Sequence, residues 1–259
     1  MDNNKRVSSS KTNETNRKKF FMIFAIVLLF VIIGSAITSS RLFLQSSRPI
    51  TNLPQGLQQQ QQQRITFPLL QKLSNPSIAS ATTLGGNTAK VTLIEFGDYQ
   101  CTYCHRFHVD TRGSILTNFV NTGKVKFLFK DFPINDLPAD RASTLAAEAS
   151  YCAADQGKYW QYHDELYNSW KGENTGWITK NNLEQFANNI GIKDINRFSR
   201  CLESGKYAGV VADNFNLAES IGLNATPTFV LLADSKQPLE IVGAQPYAVF
   251  ENAINQLSM

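Results

Sequence analysis

Basic residues are scarce in the larger, C-terminal part of this 259-residue chain. Residues 90–259 contain fifteen Lys and Arg against nineteen Asp and Glu, whereas residues 1–89 contain ten against two. The formal net charge of +4 therefore comes from the N-terminal segment. A surface that binds nucleic acid needs clustered basic side chains, so this distribution argues against a nucleic-acid partner for the C-terminal part.

Charged residues are absent from residues 20–37, an apolar run of eighteen residues. As a helix this run rises about 27 Å, close to the roughly 30 Å of hydrocarbon in a bilayer. Six Lys and Arg precede it, and the positive-inside rule therefore predicts a cytoplasmic tail at 1–19, a single-pass membrane anchor at 20–37 and an extracytoplasmic remainder. The alternative is a signal peptide cleaved near Gly34-Ser35-Ala36, which would give a secreted protein.

Long apolar stretches are also missing from residues 38–84, which include six consecutive glutamines at 58–63. Polar stretches with Pro and Gly cannot bury enough apolar surface to offset the loss of chain entropy. We therefore interpret 38–84 as a linker and place the folded domain at 85–259.

The domain itself shows the pattern of a small α/β core. A β-branched and aromatic strand is predicted at 90–99, followed by a helix that stops near Gly123 and a second strand at 124–133. Apolar residues at three- and four-residue spacing then predict a helical insertion at about 138–222. Two further strands and a final helix close the pattern at 226–234, 238–244 and 247–257.

The first strand leads directly into Cys101-Thr102-Tyr103-Cys104-His105, which has the spacing of a redox dithiol. Only a thiolate attacks a disulfide, and a cysteine in the first turn of a helix has a lowered pKa because it faces unpaired N–H groups and the positive end of the dipole. Cys104 lies three residues on, within reach of Cys101. We therefore expect Cys101 to be the nucleophile and Cys104 the resolving thiol.

Histidine and methionine are rare, with three of each, and this weakens the other interpretations of the motif. Cys-x-x-Cys-His is also the c-type haem attachment pattern, but haem iron commonly needs a second axial Met or His. A zinc site built from Cys101, Cys104, His105 and His108 would need neighbouring helical residues to converge on one metal. These alternatives, an electron-transfer or metal-binding module, stay open beside a redox-inactive domain that only binds peptides.

Two stretches, EFGDYQCTYCHRFH at 95–108 and ATPTFV at 225–230, resemble the DsbA-like branch of the thioredoxin fold. The resemblance covers most of 85–259 and implies a thioredoxin-like core with a helical insertion, and neither a metal nor another cofactor. It also implies that Pro227 is cis and that its loop, with Thr226 before it, lies against the dithiol and helps to hold substrate. The ordinary alternative is a trans proline that opens an edge strand.

The same resemblance implies a role for Glu95 as a buried acid that moves protons for the resolving cysteine. A carboxylate inside an apolar strand has a raised pKa, which suits proton transfer, although a strand residue pointing to solvent would look the same in sequence. The dipeptide Thr102-Tyr103 departs from the Pro-His and Gly-Pro of well-known members, so oxidase, reductase and isomerase remain open. His105 either tunes the Cys104 thiolate or lies on the helix surface.

The other two cysteines, Cys152 and Cys201, each lie on an apolar helix face. An even number of cysteines in an exported domain favours a structural disulfide between them, and some DsbA-like relatives carry cysteines at these places. Two buried thiols or a second redox pair are the alternatives. The whole pattern predicts a membrane-anchored, extracytoplasmic thiol–disulfide oxidoreductase that acts on exported proteins containing cysteine and is reset by a membrane or small-thiol redox partner.

Overall fold

The computed structural model describes residues 67–78 and 81–259. The predicted tail at 1–19 and anchor at 20–37 lie outside these residues. Within the described part, no helix combines the length and the apolar character needed to cross a membrane.

A five-stranded mixed sheet forms the centre of the domain, in the order β1-β3-β2-β4-β5. Its strands are β1 (Thr83–Leu84), β2 (Val91–Gly97), β3 (Val125–Asp131), β4 (Thr228–Ala233) and β5 (Leu239–Val242). β2 and β3 are parallel, and the other neighbours are antiparallel. A parallel pair needs a crossover connection, and the helical stretch after the cysteines supplies it.

Helices flank the sheet and form the insertion between β3 and β4. They are α1 (Phe67–Ser74), α2 (Thr102–Phe107), α3 (Gly113–Ile115), α4 (Ala142–Ala154), α5 (Tyr159–Asn168), α6 (Lys180–Asn189), α7 (Ile195–Glu203), α8 (Ala208–Ser220) and α9 (Tyr247–Ser258). The predicted α/β core with a helical insertion is confirmed, because α4–α8 all lie within the insertion expected at about 138–222.

Both faces of the sheet are buried, which explains the nearly continuous apolar sequence of its strands. Successive side chains of β2 point to opposite faces, so Leu93 packs in a cluster with Phe107 and Phe250, while Ile94 and Phe96 pack in another with residues of α1 and α8. A third cluster joins the insertion helices. The cysteine-bearing end of β2 is therefore held between two packed layers.

The boundary predicted at residue 85 is wrong, because the folded unit already includes α1 and β1. Leu73 of α1 is fully buried and packs in the cluster of Ile94 and Phe96. β1 pairs with β3 through Thr83 and Leu84. The short apolar segment of α1 was included in the predicted linker because the neighbouring glutamine run makes the composition of 38–84 polar on average.

The helix predicted after the cysteines is not uniform, since π-helical segments at His108–Arg112 and Leu116–Val120 interrupt it. The buried face agrees with the predicted spacing, as Phe107, Ile115 and Phe119 are all buried. π-Helical turns change the direction in which side chains leave a helix and are frequent near functional sites.

Candidate active site

Cys101 is the N-cap residue of α2, so the helix begins one residue later than the first-turn placement predicted for this cysteine. Its backbone is extended, with φ −65° and ψ 127°, and its carbonyl accepts a hydrogen bond from the His105 N–H at 3.1 Å. The side chain is 5% exposed, and in the thiol form its Sγ donates to the backbone carbonyl of Thr226 at 3.3 Å. The nucleophile predicted from the sequence therefore lies at the amino end of α2, against the loop before β4.

The two thiols of the motif differ sharply in acidity. A hydrogen bond from Cys104 is the main reason that the pKa of Cys101 falls to about 6, and burial only partly opposes it. Cys104 is fully buried, and burial first, then its hydrogen bond to Cys101, raise its pKa well above the usual value. At neutral pH the pair therefore holds a thiolate at Cys101 and a thiol at Cys104, as nucleophilic attack followed by resolution requires.

The Thr226–Pro227 peptide bond is cis and directly precedes β4. The Pro227 carbonyl accepts a hydrogen bond from the Gly243 N–H at 2.7 Å, which ties this loop to the end of β5. The buried Thr226 hydroxyl has no hydrogen-bond partner among the described residues and is free to donate to a Cys101 thiolate. Donation from the Thr226 side chain to the thiolate contributes to the lowered pKa of Cys101.

Glu95 lies on β2 and is 1% exposed, so its side chain points into the domain and not to solvent. Burial raises the pKa of this carboxyl to about 8, against a smaller lowering by the charge of Arg112. Its Oε2 has no hydrogen-bond partner among the described residues. Glu95 is therefore protonated at neutral pH and is able to exchange a proton within the site.

Asp98 is a site residue that the sequence reasoning missed. Its carboxylate accepts hydrogen bonds from the Gln100 and Asn135 N–H groups, both at 2.8 Å, while its own N–H donates to Cys104 Sγ at 3.4 Å. Burial raises the pKa of this carboxyl to about 7. The sequence signal that could have identified it is an aspartate at the end of a strand, three residues before the dithiol.

His105 lies on the surface side of α2, where its ring stacks on Trp170 with centroids 4.5 Å apart. Partial burial lowers its pKa, so the imidazole is neutral at pH 7. Trp170 also donates from its Nε1 to the Gln100 carbonyl at 2.9 Å. This tryptophan comes from the insertion, and nothing local in the sequence indicated that it reaches the residue before Cys101.

The four ligands of the alternative zinc site are not brought together. His105 stacks on Trp170 with centroids 4.5 Å apart, whereas His108 stacks on Tyr167 at 4.9 Å, so each ring has its own aromatic partner. Within residues 67–78 and 81–259, the only group of metal-type side chains with converging atoms is His108, His163 and Asp164, whose ligand atoms lie within 4.8 Å of one another. There the guanidinium of Arg112 lies 3.0 Å from Asp164 Oδ1 and occupies the place that a cation would take.

Cys152 and Cys201 are joined in a disulfide that links α4 to α7, across 49 residues of sequence and with 5.8 Å between their Cα atoms. Both side chains are buried within the cluster of insertion helices. Cys101 and Cys104 are free thiols in the same structure. The four cysteines thus divide into a bridge inside the insertion and a dithiol at the end of β2.

The profile of the thioredoxin family matches residues 79–241, and the chain therefore belongs to that family. Disulfide bond formation protein D of Bacillus subtilis (strain 168) is 30% identical over 155 residues, which are 59% of this chain and 68% of that protein. Na(+)/H(+) antiporter NhaA 1 of Salinispora arenicola is also 30% identical, over 145 residues, but the match covers only 20% of the antiporter.

Solved structures give the same result. The crystal structure of oxidised BdbD from Bacillus subtilis superposes with a TM-score of 0.62 at 25% identity, covering 68% of this chain and 92% of that one. That of α-DsbA1 from Wolbachia pipientis has a TM-score of 0.60, also at 25% identity, covering 68% and 90%. The resemblance to DsbA-like proteins is thereby confirmed: the fold is thioredoxin-like, and the enzyme is a thiol–disulfide oxidoreductase.

Proposed function

We propose that this enzyme forms disulfides in exported proteins, with Cys101 as the nucleophile and Cys104 as the resolving thiol. The observation that carries the proposal is the difference in acidity between the two thiols, because a pKa of about 6 at Cys101 stabilises the reduced enzyme as a thiolate. A stabilised reduced form makes the disulfide form a stronger oxidant. The name of the Bacillus subtilis relative, disulfide bond formation protein D, supports the same direction of electron flow.

In the proposed reaction a substrate thiolate attacks Cys101 of the oxidised enzyme. The Cys101–Cys104 bond breaks, a substrate–Cys101 disulfide forms, and Cys104 leaves as a thiolate that takes up a proton. A second substrate thiolate then attacks the substrate sulfur and releases Cys101 as a thiolate. The substrate gains one disulfide, and the enzyme takes up two electrons.

Glu95 is the proposed proton source for Cys104. It is protonated at neutral pH, because burial raises its pKa to about 8. If Glu95 were ionised, its negative charge would disfavour a thiolate at Cys104. Thr226 and Pro227 are proposed to bind substrate, since the Thr226 carbonyl already contacts the Cys101 sulfur. No metal or organic cofactor is needed for this exchange.

The chain is further proposed to be anchored by residues 20–37, with residues 1–19 in the cytoplasm and the enzyme domain outside. The support is the charge asymmetry and the uncharged run in the sequence. Membrane pelleting under alkaline carbonate, together with the N-terminal sequence of the mature protein, tests this part. A soluble mature protein that begins after residue 36 would mean that the run is a cleaved signal peptide.

The dithiol role is tested with a Cys104→Ser variant of the full chain, using oxidised glutathione as the probe. We expect Cys101 to form a stable mixed disulfide with glutathione, detected by mass, because the resolving thiol is missing. The Cys101→Ser variant is the matched control and should trap almost nothing, since Cys104 is fully buried. Equal trapping by the two variants would contradict the assignment of roles.

A further inference from the structure

The loop after α5, residues 169–176, contacts the amino end of α2 on both sides of Cys101. Trp170 donates a hydrogen bond from its Nε1 to the carbonyl of Gln100, the residue before Cys101. Glu173 accepts hydrogen bonds at its Oε2 from both the N–H and the hydroxyl of Thr102, just after it, at 3.5 and 3.4 Å. The insertion therefore reaches the residues that flank the nucleophile.

The 169–176 loop is fixed by contacts of its own. Trp177 is buried and donates from its Nε1 to the Gly172 carbonyl at 3.0 Å. The Thr175 hydroxyl donates to the Lys171 and Gly172 carbonyls at 3.1 and 3.2 Å. Gly172 itself has φ +109°, a conformation that L side chains rarely adopt. The position of the Glu173 side chain beside α2 therefore depends on a defined loop.

Glu173 supplies the negative charge that the first turn of α2 lacks, since α2 has no acidic residue there. The unpaired N–H groups at the start of a helix stabilise a nearby anion, and here the Cys101 thiolate and the Glu173 carboxylate both use them. The Cys101 thiolate draws on the backbone N–H groups of Cys104 and Tyr103, while Glu173 takes that of Thr102. Two negative charges at one helix terminus repel each other.

We propose that Glu173 is a positioning residue that lowers the reduction potential of the Cys101–Cys104 pair, by holding a carboxylate at the helix terminus where the Cys101 thiolate forms. The proposal rests on the role of Cys101 as the nucleophile. The equilibrium concerned is the enzyme disulfide plus two glutathione thiols giving the enzyme dithiol plus oxidised glutathione. The Cys101 thiolate exists only on the dithiol side, so the repulsion from Glu173 acts on that side alone.

A Glu173→Gln variant keeps the hydrogen-bond acceptor and removes the charge. A single charge at an exposed helix terminus changes such an equilibrium by about two- to fivefold at low salt. We therefore expect the equilibrium constant for reduction to rise by about two- to fivefold, which corresponds to about 10–20 mV for a two-electron couple. The pKa of the Cys101 thiol should fall by about 0.3–0.7.

The measurement uses the full chain in glutathione buffers at pH 7, with thiol trapping to count the reduced cysteines. The thiolate absorbance of Cys101 against pH is recorded on the same proteins. Glu219→Gln is the matched control, because Glu219 lies exposed near the end of α8. Glu173→Asp keeps the charge and should stay nearer to the unmodified protein than Glu173→Gln.

Four other titratable groups near Cys101 are unchanged in these variants: Cys104 and His105 on α2, Glu95 on β2 and Asp98 after it. For Glu173→Gln, a rise in the equilibrium constant for reduction together with a fall in the Cys101 pKa supports the proposal, if both changes are absent in Glu219→Gln and reduced at 1 M salt. An unchanged or lower constant in a variant whose Cys101 still titrates near pH 6 overturns it while leaving the dithiol role intact. A chain whose Cys101 neither titrates near pH 6 nor exchanges with glutathione overturns both.

Discussion

A Glu95→Gln substitution keeps the size of a buried side chain and removes its ability to ionise. Glu95 is 1% exposed, and its pKa rises from 4.5 to about 8 in the folded protein, chiefly because of burial. Between these two values the unfolded chain releases the proton while the folded protein retains it. The contribution of Glu95 to stability is therefore fully present below pH 4.5 and is lost as the pH rises through 8.

The size of this loss follows from the pKa difference. Each unit corresponds to 1.36 kcal/mol, so a change from 4.5 to about 8 amounts to about 5 kcal/mol above pH 8. We expect the glutamine variant to match the unmodified protein within about 1 kcal/mol at pH 5, because both side chains are then neutral. At pH 9 the variant should be more stable by about 3–5 kcal/mol.

The assay is urea unfolding at pH 5, 7 and 9, followed by tryptophan fluorescence on the fully oxidised full-length proteins. Oxidation removes the titration of Cys101 and Cys104 from both curves. Asp98 and Asp131 also have raised pKa values, of about 7 and about 6, because burial disfavours their charged forms, but they are present in both proteins and cancel in the difference. A difference in unfolding free energy that is the same at pH 5 and pH 9 would refute the claim that Glu95 is a neutral acid in the folded enzyme.

Two further predictions concern the insertion. Replacing Cys152 and Cys201 together by alanine should lower the free energy of unfolding by about 2–4 kcal/mol, because their disulfide closes a long loop; urea unfolding measures this change. Exchange with glutathione should continue at Cys101 and Cys104, as thiol trapping would show. Trp170→Ala should expose the ring of His105, the residue directly after Cys104, and so raise its pKa towards the usual value, whereas Trp170→Phe keeps the ring covered and should not; an NMR titration of the imidazole distinguishes the two variants.

Much of the site was predictable because its signals are local in sequence. The strand before Cys101, the three-residue spacing to Cys104 and the proline at 227 are readable from short stretches, and the structure places them together. Glu95 was ambiguous in sequence, since a strand residue faces either side of a sheet. Its burial was decided by the helices that cover both faces of β2.

The rest of the site depends on contacts between distant segments. Trp170 and Glu173 reach the ends of the dithiol motif from a loop about seventy residues away in sequence, as their hydrogen-bond partners show. Arg112 is buried only because Asp164 of α5 pairs with it and the ring of Trp160 lies beneath it. No periodicity or composition indicates such pairings, because they are set by how the insertion packs on the core.

The short helix α1 also has a consequence for any cleavage of this protein. Its C-terminal carbonyls are held by two lysines of β3, with Lys130 Nζ donating to Asn75 O at 2.8 Å and Lys126 Nζ to Ser74 O at 3.5 Å. Without α1, the buried Lys130 ammonium would lose its acceptor, and the cluster around Leu73 would open on one side.

Proteolytic release of the enzyme from its N-terminal segment is thus constrained in position. A cut at residue 85, where the sequence pattern alone placed the start of the domain, would remove a wall of the hydrophobic core together with the β1 edge of the sheet. A cut before residue 67 would leave that wall in place. Cleavage that leaves the folded oxidoreductase complete is therefore confined to the first 66 residues.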